Sequence, residues 1–112
     1  MDALDKILAS LVEIDENAFK LTSMERLKTI QSLVDSAEVV FEIDKSLANN
    51  AKALYIRGKA IHGLQPARAK EAEKLLSRSV KLNPSELDAW NTLGECYFYS
   101  GNFNQAKRCD PA

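Results

Sequence analysis

The sequence predicts an all-α chain of antiparallel helix-turn-helix repeats, a truncated α-solenoid preceded by two N-terminal capping helices. Three observations predict it. Apolar residues recur at three- and four-residue steps along most of the 112 residues, the period of helices buried on one face. Gly63, Pro66, Pro84, Gly101 and Pro111 punctuate these periodic segments, as short turns between helices require. The spacing Trp90-x-x-Leu93-Gly94-x-x-Tyr97 has a weaker counterpart in Leu54, Gly58 and Ile61.

Residues 3–19 read as an amphipathic helix. Leu4, Ile7, Leu8, Leu11 and Val12 share one face, Asp5, Lys6, Glu13 and Asp15 the other, and Asp2 is placed as the N-cap. Thr22 and Glu25 have capping-box spacing, so a second helix starts near Met24 and runs to about Leu47. Leu27, Ile30, Val34, Ala37 and Phe41 form one stripe on it, and Leu33, Val40 and Leu47 a second beside it. Two adjacent stripes predict a helix covered on more than one side, packed inside a stack. Asn49 and Asn50 break it. Residues 51–61 are helical around an internal Gly58, which costs roughly 1 kcal/mol relative to Ala and suits a close helix approach. Gly63-Leu64-Gln65-Pro66 is the turn. The return helix covers 67–82, with Ala69, Ala72, Leu75, Leu76, Ser79, Val80 and Leu82 inward. Pro84 ends it, because proline cannot continue a helix. Residues 86–100 form the next helix, Gly101-Asn102 a turn, and 103–109 a last helix stopped by Asp110-Pro111. The chain thus divides into two N-terminal helices (1–50), a first repeat unit (51–86) and an incomplete second unit (87–112).

Trp90, Leu93 and Tyr97 lie on one face of their helix, and Gly94 and Ala106 let two backbones approach. In the preceding unit Leu54, Gly58 and Ile61 hold the matching places, Ala72, Leu76 and Ser79 supply the second-helix contacts, and Pro84 closes the unit. The interval from Gly58 to Ala72 is 14 residues against 12 from Gly94 to Ala106, a longer turn around Gln65-Pro66. The pattern resembles the tetratricopeptide repeat, a helical pair of about 34 residues. The runs Arg57-Gly58-Lys59-Ala60, 72–84 and Asp88-Ala89-Trp90 through Glu95 are similar to the Strap-like members of that family, specifically over 52–109 and vaguely over 1–50. That resemblance implies a protein–protein interaction module, an adaptor or scaffold of cytoplasm and nucleus. Its relatives join a repeat superhelix to an OB-like domain and act in transcriptional co-activation and in recognising nascent tubulin. It also implies a groove lined by Lys52, Tyr55, Lys59, His62, Asp88, Asn91, Glu95 and Phe98. Tyr55, Lys59 and Thr92 stand where a carboxylate clamp would need Lys, Asn and Asn, so that subclass is not expected. The family pattern wants a large apolar residue where Asp110 stands. The chain therefore reads as a fragment of a longer protein, with an uncapped C-terminal end that self-associates around Tyr97, Phe103 and Ala106.

Charge is uneven: residues 1–50 carry a net −5, 51–82 a net +6 and 83–112 a net −2. Complementary charge between stacked helices accounts for this. The alternative is binding of nucleic acid or another acidic partner through the basic stretch 52–81, although few aromatics accompany it. No apolar run approaches the roughly 18 residues of a membrane helix. The acidic N-terminus is unlike a signal peptide. Cys96 and Cys109, thirteen apart, suit a reducing compartment, Cys96 packed and Cys109 more exposed, and make no zinc pattern. His62 is the lone histidine and reads as a turn residue. No nucleophile elbow, P-loop or metalloprotease helix is present. The reading is therefore not an enzyme: no catalytic or metal residues, no cofactor, no small-molecule substrate, no membrane, and a protein or peptide partner.

Overall fold

A computed structural model describes residues 2–17, 20–65 and 67–109. Among these are six α-helices and no strand: α1 (Asp2–Glu16), α2 (Ser23–Ile43), α3 (Ala51–His62), α4 (Ala69–Leu82), α5 (Leu87–Tyr99) and α6 (Phe103–Arg108). No described helix is long and apolar enough to cross a membrane. Ala18, Phe19, Pro66 and Asp110-Pro111-Ala112, which bear on the expected helix end, turn and stop, lie outside the described residues.

The helices pair and stack. α3 packs most heavily on α4, and α4 in turn packs on α5, which packs on α6. α1 touches both α2 and α3, just as α3 touches both α4 and α5. The first helices of successive hairpins, α1, α3 and α5, are therefore neighbours. One continuous core runs through the stack, from Leu4, Ile7 and Leu11 through Ile30, Val34, Ile56 and Ile61 to Leu76, Ala89 and Leu93.

Local chemistry explains most boundaries. Thr22 accepts a hydrogen bond from Glu25 N at 3.1 Å and starts α2; of the capping box, this is the half the structure forms. α2 ends at Ile43, short of the expected Leu47, because Asp44 accepts from Ser46 N and starts a short 3-10 turn, Lys45–Asn49. Leu47 is still buried, but through that turn. Asn50 caps α3 by accepting from Ala53 N. α4 begins at Ala69 rather than 67 because Arg68 takes a left-handed conformation, φ 60° and ψ 22°. Gly101, at φ 81°, makes the turn before α6 at no steric cost. Asp2 is the first helical residue and not the cap; as an acid in the first turn it still complements the helix dipole.

Several inward assignments differ in the structure. Ile14, not Val12, completes the buried stripe of α1, and Val12 is exposed. Leu27, on the second turn of α2, and Leu82, the last residue of α4, are both exposed. Leu33, Val40, Leu75, Trp90 and Tyr97 are only half-buried against the core. Trp90 packs against the core next to the α4–α5 turn, where its indole N–H donates to the Pro84 carbonyl at 2.9 Å. Cys109 is buried, not exposed, because the end of α6 folds back over Gly94.

Candidate partner-binding surface

The repeat positions fall where two helices must close. A Cβ on Gly58 would lie 2.8 Å from Leu76 Cγ, so α3 and α4 meet there with no space for a side chain. A Cβ on Gly94 would lie 3.2 Å from Cys109 Cβ and 3.7 Å from the Ala106 carbonyl. Leu54, Ile61, Ala72, Leu76 and Leu93 are buried, Ala106 is half-buried, and Pro84 is exposed in the α4–α5 turn.

Cross-helix polar contacts tie α1, α3 and α5 together. Lys52 Nζ is 3.6 Å from Asp5 Oδ1, and Lys59 Nζ is 3.3 Å from Asp15 Oδ2. Arg26 of α2 reaches the same Asp15 at 4.0 Å. These pairs are solvent-washed, so each contributes at most about 1 kcal/mol and mainly sets register. Beside them a pocket of about 310 Å³ opens between α1, α2, α3 and α5, with Ile30 at its floor and Lys59, His62, Glu95 and Tyr99 on its walls. Tyr55 is buried, and burial pushes its phenol up to about 12, helped by the carboxylates of Asp88, Glu86, Asp15 and Glu95. Its pKa thus reports a negative field from α1 and α5. Asp88, Asn91, Glu95 and Phe98 are exposed on α5. No cation lies within ion-pair distance of Glu86 or Asp88 among the described residues.

His62 is the last residue of α3, not a turn residue, and it bridges to α5. Its Nε2 lies 3.2 Å from Glu95 Oε2, and its Nδ1 lies 3.4 Å from Cys96 Sγ. With Nε2 protonated, the ring N–H donates to the carboxylate, and Nδ1 accepts from the Gln65 amide and from the Cys96 thiol, which share its one lone pair. The His62 hydrogen bond holds the Glu95 carboxyl below its ordinary value. Cys, His and carboxylate in this order can serve nucleophilic chemistry, but burial pushes the Cys96 thiol up to about 12. The thiol stays protonated and shielded, so the trio works as an inter-helix clasp. Local spacing could not reveal it, since the partners lie 33 and 34 residues apart.

The hairpins, their glycine contacts and the position of Trp90 can be set against known proteins. No family model matches the chain. Tetratricopeptide repeat protein 5 of Bos taurus is 41% identical over 68 residues, 61% of this chain. Its Mus musculus counterpart is 37% identical over 83 residues, 74% of this chain, and its Homo sapiens counterpart 40% identical over 68 residues. The chain is similar to tetratricopeptide repeat protein 5. The resemblance read from the sequence therefore stands, and the all-α, tetratricopeptide-like fold agrees with it. The matched stretch spans only 15% to 16% of the length of these tetratricopeptide repeat proteins.

Within this frame the basic stretch separates into two groups. Lys52 and Lys59 pair with Asp5 and Asp15 of α1, and Arg57 lies 4.8 Å over the Phe41 ring. Arg68 is held by Glu38 at 2.6 Å and by Glu71 at 2.7 Å. Glu71 first, then Glu38, raise the Arg68 pKa. This half of the charge is used inside the stack. Lys70, Lys74, Arg78 and Lys81 make no ion pair among the described residues and are exposed on the outer side of α4.

Proposed function

We propose that the chain is a protein–protein interaction module that receives a peptide segment along the surface shared by α1, α3 and α5. The observation that carries this reading is the row of available groups along α5: Glu86 and Asp88 at its start pair with no cation among the described residues, Asn91 and Phe98 stay exposed, and Glu95 and Tyr99 towards its end wall the pocket of about 310 Å³. A segment bearing a basic residue and, about 15 Å further along, an apolar one fits it, the cation against Asp88 and the apolar group against Phe98. Lys52, Lys59 and His62 act through register, since their polar groups are engaged with Asp5, Asp15 and Glu95. The similarity to tetratricopeptide repeat protein 5 supports an adaptor role of the Strap-like kind, exercised on this reading in cytoplasm or nucleus.

The test uses Asp88→Arg with Asn91→Arg, two exposed positions where substitution leaves stability within about 0.5 kcal/mol. Photo-crosslinking from position 98 in cell extract should yield discrete protein adducts, and the double substitution should abolish them. Adducts that persist unchanged in the double variant would refute this surface as the binding site.

A further inference from the structure

We infer that the outer face of α4 is a second docking surface, separate from the groove, which takes an acidic segment of a protein partner. Lys70, Lys74, Arg78 and Lys81 stand at steps of four, four and three residues. At 100° per residue they fall within an arc of about 80°, and at 1.5 Å per residue they extend over about 16 Å of helix. All four are exposed. Among the described residues no carboxylate lies within ion-pair distance of any of them, although five ion-pair contacts engage Lys52, Lys59 and Arg68 of the same stretch and Arg57 lies over the Phe41 ring.

Arg78 is not a loose surface arginine. Its Nε–H donates to the Ala48 carbonyl at 3.0 Å and its terminal nitrogen donates to the Asn49 side chain. Both partners are neutral, so the guanidinium is fixed in orientation while its charge is left unbalanced. A fixed cation loses less side-chain entropy on meeting a carboxylate, which is the usual obstacle to a surface ion pair. Beside it a depression of about 320 Å³ is lined by Glu73, Lys74, Ser77, Arg78, Lys81 and Leu82. Glu73 is the one acid there; it is half-buried, and its charge is felt by the Cys96 thiol on α5. Leu82 is exposed and gives the depression an apolar end. The opposite side of α4 carries Ala72, Leu76, Ser79 and Val80 into the core. The ridge therefore faces away from the packed side of the stack.

The charge pattern selects a short acidic protein segment over a nucleic acid. The ridge ends within about three helical turns. A phosphate backbone running on past it would meet the acidic α2, whose Asp35, Glu38 and Glu42 line another depression. The exposed aromatic rings that stack bases, Phe98, Tyr99 and Phe103, lie on α5 and α6 and not on α4.

The experiment is fluorescence anisotropy of the whole chain with three labelled probes. One is a peptide alternating Glu and Leu, one the same peptide with Gln for Glu, and one a single-stranded RNA of equal charge. The acidic peptide should bind most tightly, and raising NaCl from about 50 mM to about 300 mM should weaken it several-fold. The variant Lys70→Glu, Lys74→Glu and Lys81→Glu should lose at least about tenfold in affinity, with an unchanged circular-dichroism spectrum. Asp88→Arg with Asn91→Arg should leave this binding intact, which separates it from the groove. Equal binding of the Gln peptide, stronger binding of the RNA, or no binding of any probe would each overturn the inference.

Discussion

Gly58→Ala is the sharpest test of how the repeat is built. The new Cβ would sit 2.8 Å from Leu76 Cγ and 3.0 Å from Cδ2. Carbon atoms in contact prefer about 3.5–4.0 Å. Leu76 is fully buried, so it cannot swing aside, and α3 and α4 must part by several tenths of an ångström. Overpacking of this kind costs about 1–3 kcal/mol. Replacing a helix-interior glycine by alanine returns about 0.5–1 kcal/mol. The balance is a loss of roughly 1 kcal/mol, or about 3–6 °C of Tm in a chain of this size. Gly94→Ala serves as its control. There the near atom is Cys109 Cβ at 3.2 Å, just past the short α6, which can yield. Helix propensity then prevails, and stability should rise by a few tenths of a kcal/mol. Urea and thermal melts followed by far-UV circular dichroism measure both. A Gly58→Ala variant as stable as the parent would refute the close approach of α3 and α4, and a larger loss at Gly94 than at Gly58 would refute the ranking.

Four further outcomes are expected. Trp90→Ala should cost about 2 kcal/mol, below the 3–5 of a fully buried aromatic, because the ring is half-exposed and loses chiefly its bond to Pro84; a denaturant titration decides between the two. Tyr55 is held neutral by folding, so its contribution to stability is complete below pH 10 and is lost as pH rises through about 12; Tyr55→Phe should flatten that alkaline limb in melts taken between those values. Cys96 and Cys109 are free and buried, and both thiols are shifted upward, so iodoacetamide at about pH 8 should label them far more slowly in the native chain than in urea, as read by mass spectrometry. Phe98, Tyr99 and Phe103 form an exposed aromatic cluster with ring centroids 5.3 to 5.9 Å apart. We expect self-association through it, and Phe98→Ser with Phe103→Ser should lower the mass seen by light scattering.

Local signals identified what each segment would become. The periodic stripes, the caps at Thr22 and Asn50, and the glycine–tryptophan spacing are chemistry between residues a few positions apart, and they are readable without knowing any neighbour. The same holds for Gly58, whose cost in a helix announces a close contact even before Leu76 is known to supply it. Edges of the stripes were not readable in this way. Val12 and Leu82 carry the right period but face water, because burial there depends on whether another helix arrives, not on the helix itself. Cys109 reads from the sequence as the more exposed thiol, yet the fold-back at the end of α6 over Gly94 buries it.

The sequence by itself determined the helices, their order and the repeat frame, since period, capping and turn chemistry act over one or two helical turns. Only the tertiary structure decided which charges are spent and which remain. Asp15 meets Lys59 across 44 residues, Glu38 meets Arg68 across 30, and His62 meets Cys96 across 34, each pairing set by how the hairpins stack. Net charge counted along the chain cannot distinguish Lys59, paired with Asp15 of α1, from Lys74, which meets no carboxylate among the described residues, because a Coulomb interaction depends on distance in space and not on separation in sequence.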